Sequence, residues 1–114
     1  MPVFDHPPLS RAGQLKTMLP QLKADVALYP SSAGGRAGPV FPGWGCPCCL
    51  SKDTPIVAYD GWPLLGELSL APGDHRRLRF VFLSGEETAA LFRKSGFFFL
   101  WEGGFIGEAT VVAE

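Results

Sequence analysis

Apolar residues recur at every second position over several short stretches of the chain. Leu22, Ala24, Val26 and Leu28 share one phase, while Lys23 and Asp25 hold the other. That alternation predicts a half-buried strand. Leu78, Phe80 and Phe82 alternate with Arg77, Arg79 and Val81, which predicts a strand with one apolar and one partly basic face. Leu64, Gly66, Leu68 and Leu70 alternate with Leu65, Glu67 and Ser69, giving another strand with Leu68 turned inward. Residues 56–59 form a further short candidate. Residues 97–101, Phe-Phe-Phe-Leu-Trp, read as a strongly apolar strand whose two faces carry Phe98 with Leu100 and Phe97 with Phe99 and Trp101. Gly103-Gly104 turns the chain back, and residues 105–113 complete a hairpin.

Helical period is weak. Residues 84–94 carry good helix formers, and Ser84 followed three residues later by Glu87 matches a capping box. The expected helix is short, near residues 86–93. Pro72-Gly73-Asp74 predicts a turn, because proline presets φ and glycine accepts the left-handed conformation. Residues 30–55 are rich in Gly, Pro and Ser. A structureless segment of that length is uncommon in a compact domain, so short strands are expected around Val40-Phe41 and residues 48–50. Residues 1–19 read as an arm, with Ser10 placed to cap a short helix ending before Pro20.

Six or seven short strands, with a turn signal roughly every 10 residues, indicate an all-β fold. The expected architecture is a small closed antiparallel β-barrel of about six strands with one short helix, over residues 20–114. Closure removes the exposed edge that a strand as apolar as 97–101 would otherwise present.

Composition narrows the picture. The 114 residues fit one domain, and 14 Gly with 11 Pro favour many turns over a helical bundle. A net charge of −1 supplies no global attraction to nucleic acid or anionic membrane. No apolar run approaches the roughly 18 residues of a membrane span. The first residues carry Asp5, His6 and prolines where a signal peptide has a basic start and an apolar stretch. All three cysteines, Cys46, Cys48 and Cys49, lie within four residues, an unsuitable disulfide framework. A cytoplasmic compartment is the expectation.

Those cysteines are the most distinctive chemistry. Thiolates are soft ligands, and His75 or His6 would complete a tetrahedral zinc site. On a strand, however, Cys46 and Cys48 share a face and Cys49 points away. The cluster therefore has three readings: packed small hydrophobes, a zinc site, or a redox pair. Gly34-Gly35-Arg36 reads as a tight loop whose arginine pairs a carboxylate, caps a carbonyl or contacts a partner. His75, Arg76, Arg77 and Arg79 form the basic cluster, either a solvated face or a small patch for acidic protein or RNA. One set of residues 97–101 is expected at the surface, where it would mark an interface, including one between two copies of the chain. No Ser–His–Asp or Cys–His arrangement is legible, so the chain reads as a binding domain without enzymatic activity.

Four segments carry a resemblance. They are residues 22–29 followed by Gly34-Gly35-Arg36 and Pro39-Val40-Phe41; Gly43-Trp44; residues 70–74, Leu-Ala-Pro-Gly-Asp; and residues 97–102 with Gly103-Gly104, Ile106-Gly107 and Val111-Val112. In order and spacing they resemble the third, C-terminal β-barrel domain of elongation factor Tu, over about residues 20–113. The resemblance implies a barrel of that kind and a link to translation. It also implies partner contacts at Gly34, Gly35, Arg36 and Trp44, beside the basic positions Arg77 and Arg79. The family's GTPase domain and its phosphate-binding loop are absent. Where the family carries basic residues that touch tRNA, this chain has Gly45, Trp101 and Phe105, and only Arg36 remains. Weak tRNA binding is the expectation, since phosphate contacts supply most non-specific affinity. The leading reading is a stand-alone domain that binds a protein. The alternatives are an RNA- or tRNA-binding accessory of translation and a zinc- or redox-active cysteine module.

Overall fold

The structure, a computed structural model, describes residues 19–113. The proposed N-terminal arm and its short helix lie outside them, save Leu19. Six strands form one closed antiparallel barrel: β1 (Leu22–Leu28), β2 (Cys46–Cys49), β3 (Tyr59–Pro63), β4 (His75–Phe82), β5 (Phe97–Trp101) and β6 (Phe105–Val111). Helix α1 (Glu86–Ser95) joins β4 to β5. Around the barrel the order is β1-β4-β3-β2-β5-β6, and β6 closes onto β1.

The period-two residues fill the interior. Leu22, Ala24, Val26 and Leu28 from β1 meet Leu78, Phe80 and Phe82 from β4 and Phe98 and Leu100 from β5, all buried. A barrel of this size has room for side chains and no central channel. Its aromatic heart is continuous. Phe80 stands edge-on to Phe98 at 5.4 Å, and Phe92 of α1 lies 4.6 Å from Phe98 and 5.3 Å from Phe82, centroid to centroid. Phe92 and Ala89 are fully buried, so α1 covers the end of the barrel where β4 stops and β5 starts.

Three local expectations are corrected. Residues 64–70 are not a strand, and Leu68 is 65% exposed. The chain turns after Leu65, and Leu70 makes a single bridge to Val40, so the buried leucines are Leu65 and Leu70. Four leucines spread over both phases made the alternation uninformative there. The strand expected at 56–59 begins only at Tyr59 and runs through Asp60-Gly61-Trp62-Pro63. Ser84 does not cap α1. Gly85, at φ 66°, holds the N-cap position and has no side chain to cap with, and its N–H turns back to the Phe82 carbonyl at 2.9 Å. The Pro72-Gly73-Asp74 turn is present: Gly73 has φ 88°, Asp74 N–H donates to Ala71 O, and Ala71 N–H donates to the Asp74 carboxylate at 2.9 Å.

Candidate functional site

The Gly34-Gly35-Arg36 loop is built against β1. A Cβ on Gly35 would lie 2.0 Å from the Tyr29 carbonyl oxygen, so only glycine fits that crossing. The loop thereby aims Arg36 at the last hairpin. Arg36 Nη1 donates to Glu102 Oε1, and Arg36 Nε donates to the Gly38 carbonyl at 3.2 Å. Trp44 Nε1 donates to the other oxygen of the same carboxylate at 3.1 Å, and the guanidinium sits 5.8 Å from the Trp44 ring. Arg36 and Trp44, singled out separately in the sequence, thus converge on Glu102 at the end of the barrel opposite α1. Glu102 carried no signal of its own; its role follows from the hairpin's proximity to two distant loops.

The basic cluster does not converge. Arg77 donates through Nε and Nη2 to both Asp25 oxygens, at 2.7 and 3.1 Å. That bond holds the Asp25 carboxyl below its ordinary range and raises Arg77. Arg76 spends its guanidinium on the Leu68 and Ser69 carbonyls, at 3.0 and 2.6 Å. Arg79 stands exposed on β4, opposite Lys23 of β1.

The cysteines split as the strand period dictates. Cys46 and Cys48 enter the core cluster, whereas Cys49 faces outward, paired with Phe99, and is nevertheless covered. All three are free thiols. Burial pushes the Cys46 thiol up to about 12, and it raises Cys48 and Cys49 as well. Neutral thiols are poor ligands and poor nucleophiles. Among the described residues, no three His, Cys, Asp or Glu side chains stand together as a metal would require. The strand turns Cys46 and Cys48 inward and Cys49 outward, so the three thiols do not aim at one point; His6 lies outside the described residues.

What the structure does assemble is an aromatic outer face. Phe98 and Leu100 point inward, so Phe97, Phe99 and Trp101 stand outside, half-buried. Phe97 meets Phe99 edge-on at 5.0 Å; Phe105 meets Phe99 at 5.7 Å and Trp101 at 4.9 Å. Lys52, from the loop between β2 and β3, brings Nζ to 4.9 Å from the Phe99 ring, 5.1 Å from Phe105 and 5.8 Å from Tyr29. The alternation in residues 97–101 anticipated two faces; nothing in the sequence linked Lys52 or Tyr29 to them. Comparison with known proteins finds no protein-family model that matches the chain and no curated protein significantly similar to it. Among the described residues, no helix is long and apolar enough to cross a membrane.

Proposed function

We propose that this chain is a non-enzymatic, protein-binding β-barrel domain of the cytoplasm, in keeping with its resemblance to the third domain of elongation factor Tu. One observation carries the reading. The barrel interior is filled, so binding falls to the outside, and the outside carries a contiguous group of aromatic rings on β5 and β6. Aromatic residues are enriched in the buried centres of protein interfaces. The RNA reading is weaker because Arg36, Arg76 and Arg77 are engaged by the domain's own carboxylates and carbonyls. The cysteine reading is weaker because burial favours neutral thiols.

Capture from cell lysate, followed by a titration of the captured species, tests the proposal. A protein is expected that binds the wild-type domain saturably and loses affinity with Trp101→Ala. In parallel, tRNA at about 150 mM salt is expected to bind no tighter than the non-specific range of about 10⁻⁴–10⁻⁶ M. Tight tRNA binding abolished by Arg36→Ala would replace the protein partner with RNA. Self-association in sedimentation, lost with the same Trp101 change, would make the partner a second copy of the chain.

A further inference from the structure

Beside the aromatic rings runs a cleft of about 510 Å³ over the outer surface of β4, β1, β6 and β5. Its shape follows from the register. Ala27 is opposite His75 on one side and Glu108 on the other; Asp25 is opposite Arg77 and Thr110; Phe97 is opposite Thr110. A methyl group between longer side chains leaves a trough. With strands about 4.8 Å apart, His75 and Glu108 stand about 10 Å from one another across it, wide enough for a side chain to enter.

Arg76 and Arg77 line the trough together with Asp25 and Glu108, and Arg76 directs its guanidinium to the Leu68 and Ser69 carbonyls. Arg77 is neutralised by Asp25 through two hydrogen bonds. The Glu108 carboxylate, half-buried, makes no hydrogen bond or ion pair with any described residue. Glu108 stands directly across from Phe99 and one alternation from Phe97, so a carboxylate and ring faces share one wall. The adjoining rings show what such a wall holds. The Lys52 ammonium lies within 6 Å of three of them, the range in which a ring quadrupole attracts a cation. The chain's own lysine occupies that seat; the neighbouring one, at Glu108 and Phe97, has no occupant among the described residues.

We propose that the outer face of β1, β6 and β5 docks a basic segment of a partner protein, with a lysine or arginine side chain seated over Ala27 against Glu108 and Phe97. The proposal rests on the protein-binding reading and names the chemistry of its partner. Glu108 disfavours a phosphate chain at the position over Ala27.

A fluorescein-labelled lysine-rich peptide and its glutamine counterpart, titrated at low salt by fluorescence anisotropy, supply the test. The lysine peptide is expected to bind and the glutamine peptide not. Glu108→Gln should weaken binding about three- to five-fold, the scale of one exposed ion pair. Phe97→Leu should weaken it about two-fold or more, the scale of one exposed cation–ring contact. Glu87→Gln, an equal change of charge on α1, should leave it unchanged. Equal weakening by Glu87→Gln would reduce the effect to net charge and overturn the proposal, as would absent binding or preference for an RNA oligonucleotide. A captured protein that binds the Glu108→Gln domain as tightly as wild type ends this inference and leaves the protein-binding reading intact. A wild-type domain that captures RNA and no protein ends that reading itself.

Discussion

Strand β5 places identical side chains in opposite circumstances. Phe98 is fully buried among Phe80, Phe82 and Phe92, and its neighbours Phe97 and Phe99 stand half-buried outside the same strand. The inner ring contacts other rings on several sides, so its removal leaves a void that close packing cannot heal. The outer rings touch one another edge-on and otherwise face water or Lys52. Residue type therefore says little about role; the phase of the strand decides it. Scattered apolar residues on a surface are ordinary, whereas the adjoining outer rings are the ground for the docking face proposed above.

The sharpest test of this contrast is truncation on either side of the strand. Phe98→Ala should destabilise the domain by about 3–5 kcal/mol, through lost burial and a cavity. Phe99→Ala removes a ring with water on one side and should cost about 1 kcal/mol, the scale of an ordinary substitution. Urea denaturation of both variants measures the difference. Equal losses would mean that the outer rings are part of the core and would remove the ground for a docking face.

The cysteines repeat the contrast one strand away. Cys48 pairs with Leu100 inside and Cys49 with Phe99 outside. Both are covered in the folded domain, but Cys46 and Cys48 belong to the core and are reached only by global unfolding, whereas local opening suffices for Cys49. Alkylation followed by mass spectrometry should show Cys49 modified before the other two. Equal rates at all three would dissolve the distinction. The pH dependence has a definite sign. Burial raises the Cys46 thiol from 9.0 to about 12, so the folded state keeps its proton where the unfolded chain loses it. Its contribution is whole below pH 9.0 and is lost as pH rises toward about 12. A Cys46→Ala variant should lose less stability over that window than wild type.

How much of this was legible depended on local contrast. The interior faces of β1 and β4 were, because charged residues mark one phase and apolar residues the other. The helix was legible from composition, though its cap was not: a backbone turn puts Gly85, and not Ser84, at the N-cap. Strand β3 was obscured because Asp60-Gly61-Trp62-Pro63 has the look of a turn; Pro63 is tolerated at the strand's last position, where it faces Phe80. Of the site, Arg36 and Trp44 were named but their meeting on Glu102 was not. The separations of 66 and 58 residues between those partners are closed only by the barrel. Lys52 over three rings, and the Glu108 carboxylate beside Ala27 and Phe99, likewise exist only once the strands are in register.

The smallest effect is expected at Asp25, where the outer face carries charge rather than rings. Both members of the Asp25–Arg77 pair are exposed, so solvent screens their attraction and the pair adds little to stability. The hydrogen bond from Arg77, partly opposed by desolvation, lowers the folded pKa of Asp25. A depressed carboxyl contributes stability above its unfolded pKa and loses that contribution as pH falls through the folded value. Asp25→Asn should therefore leave stability near wild type at pH 7 and make the acid limb of the stability curve slightly less steep. Binding should respond more than folding does. Without Asp25, the Arg77 charge is released into the cleft beside Ala27, where it repels the cation proposed to sit against Glu108. The lysine-rich peptide should thus bind Asp25→Asn more weakly than wild type, while the two melting temperatures nearly coincide. A fall in stability comparable to that of Phe98→Ala would show that the outer face supports the fold as much as the core does. Unchanged peptide binding would place the cation away from this cleft.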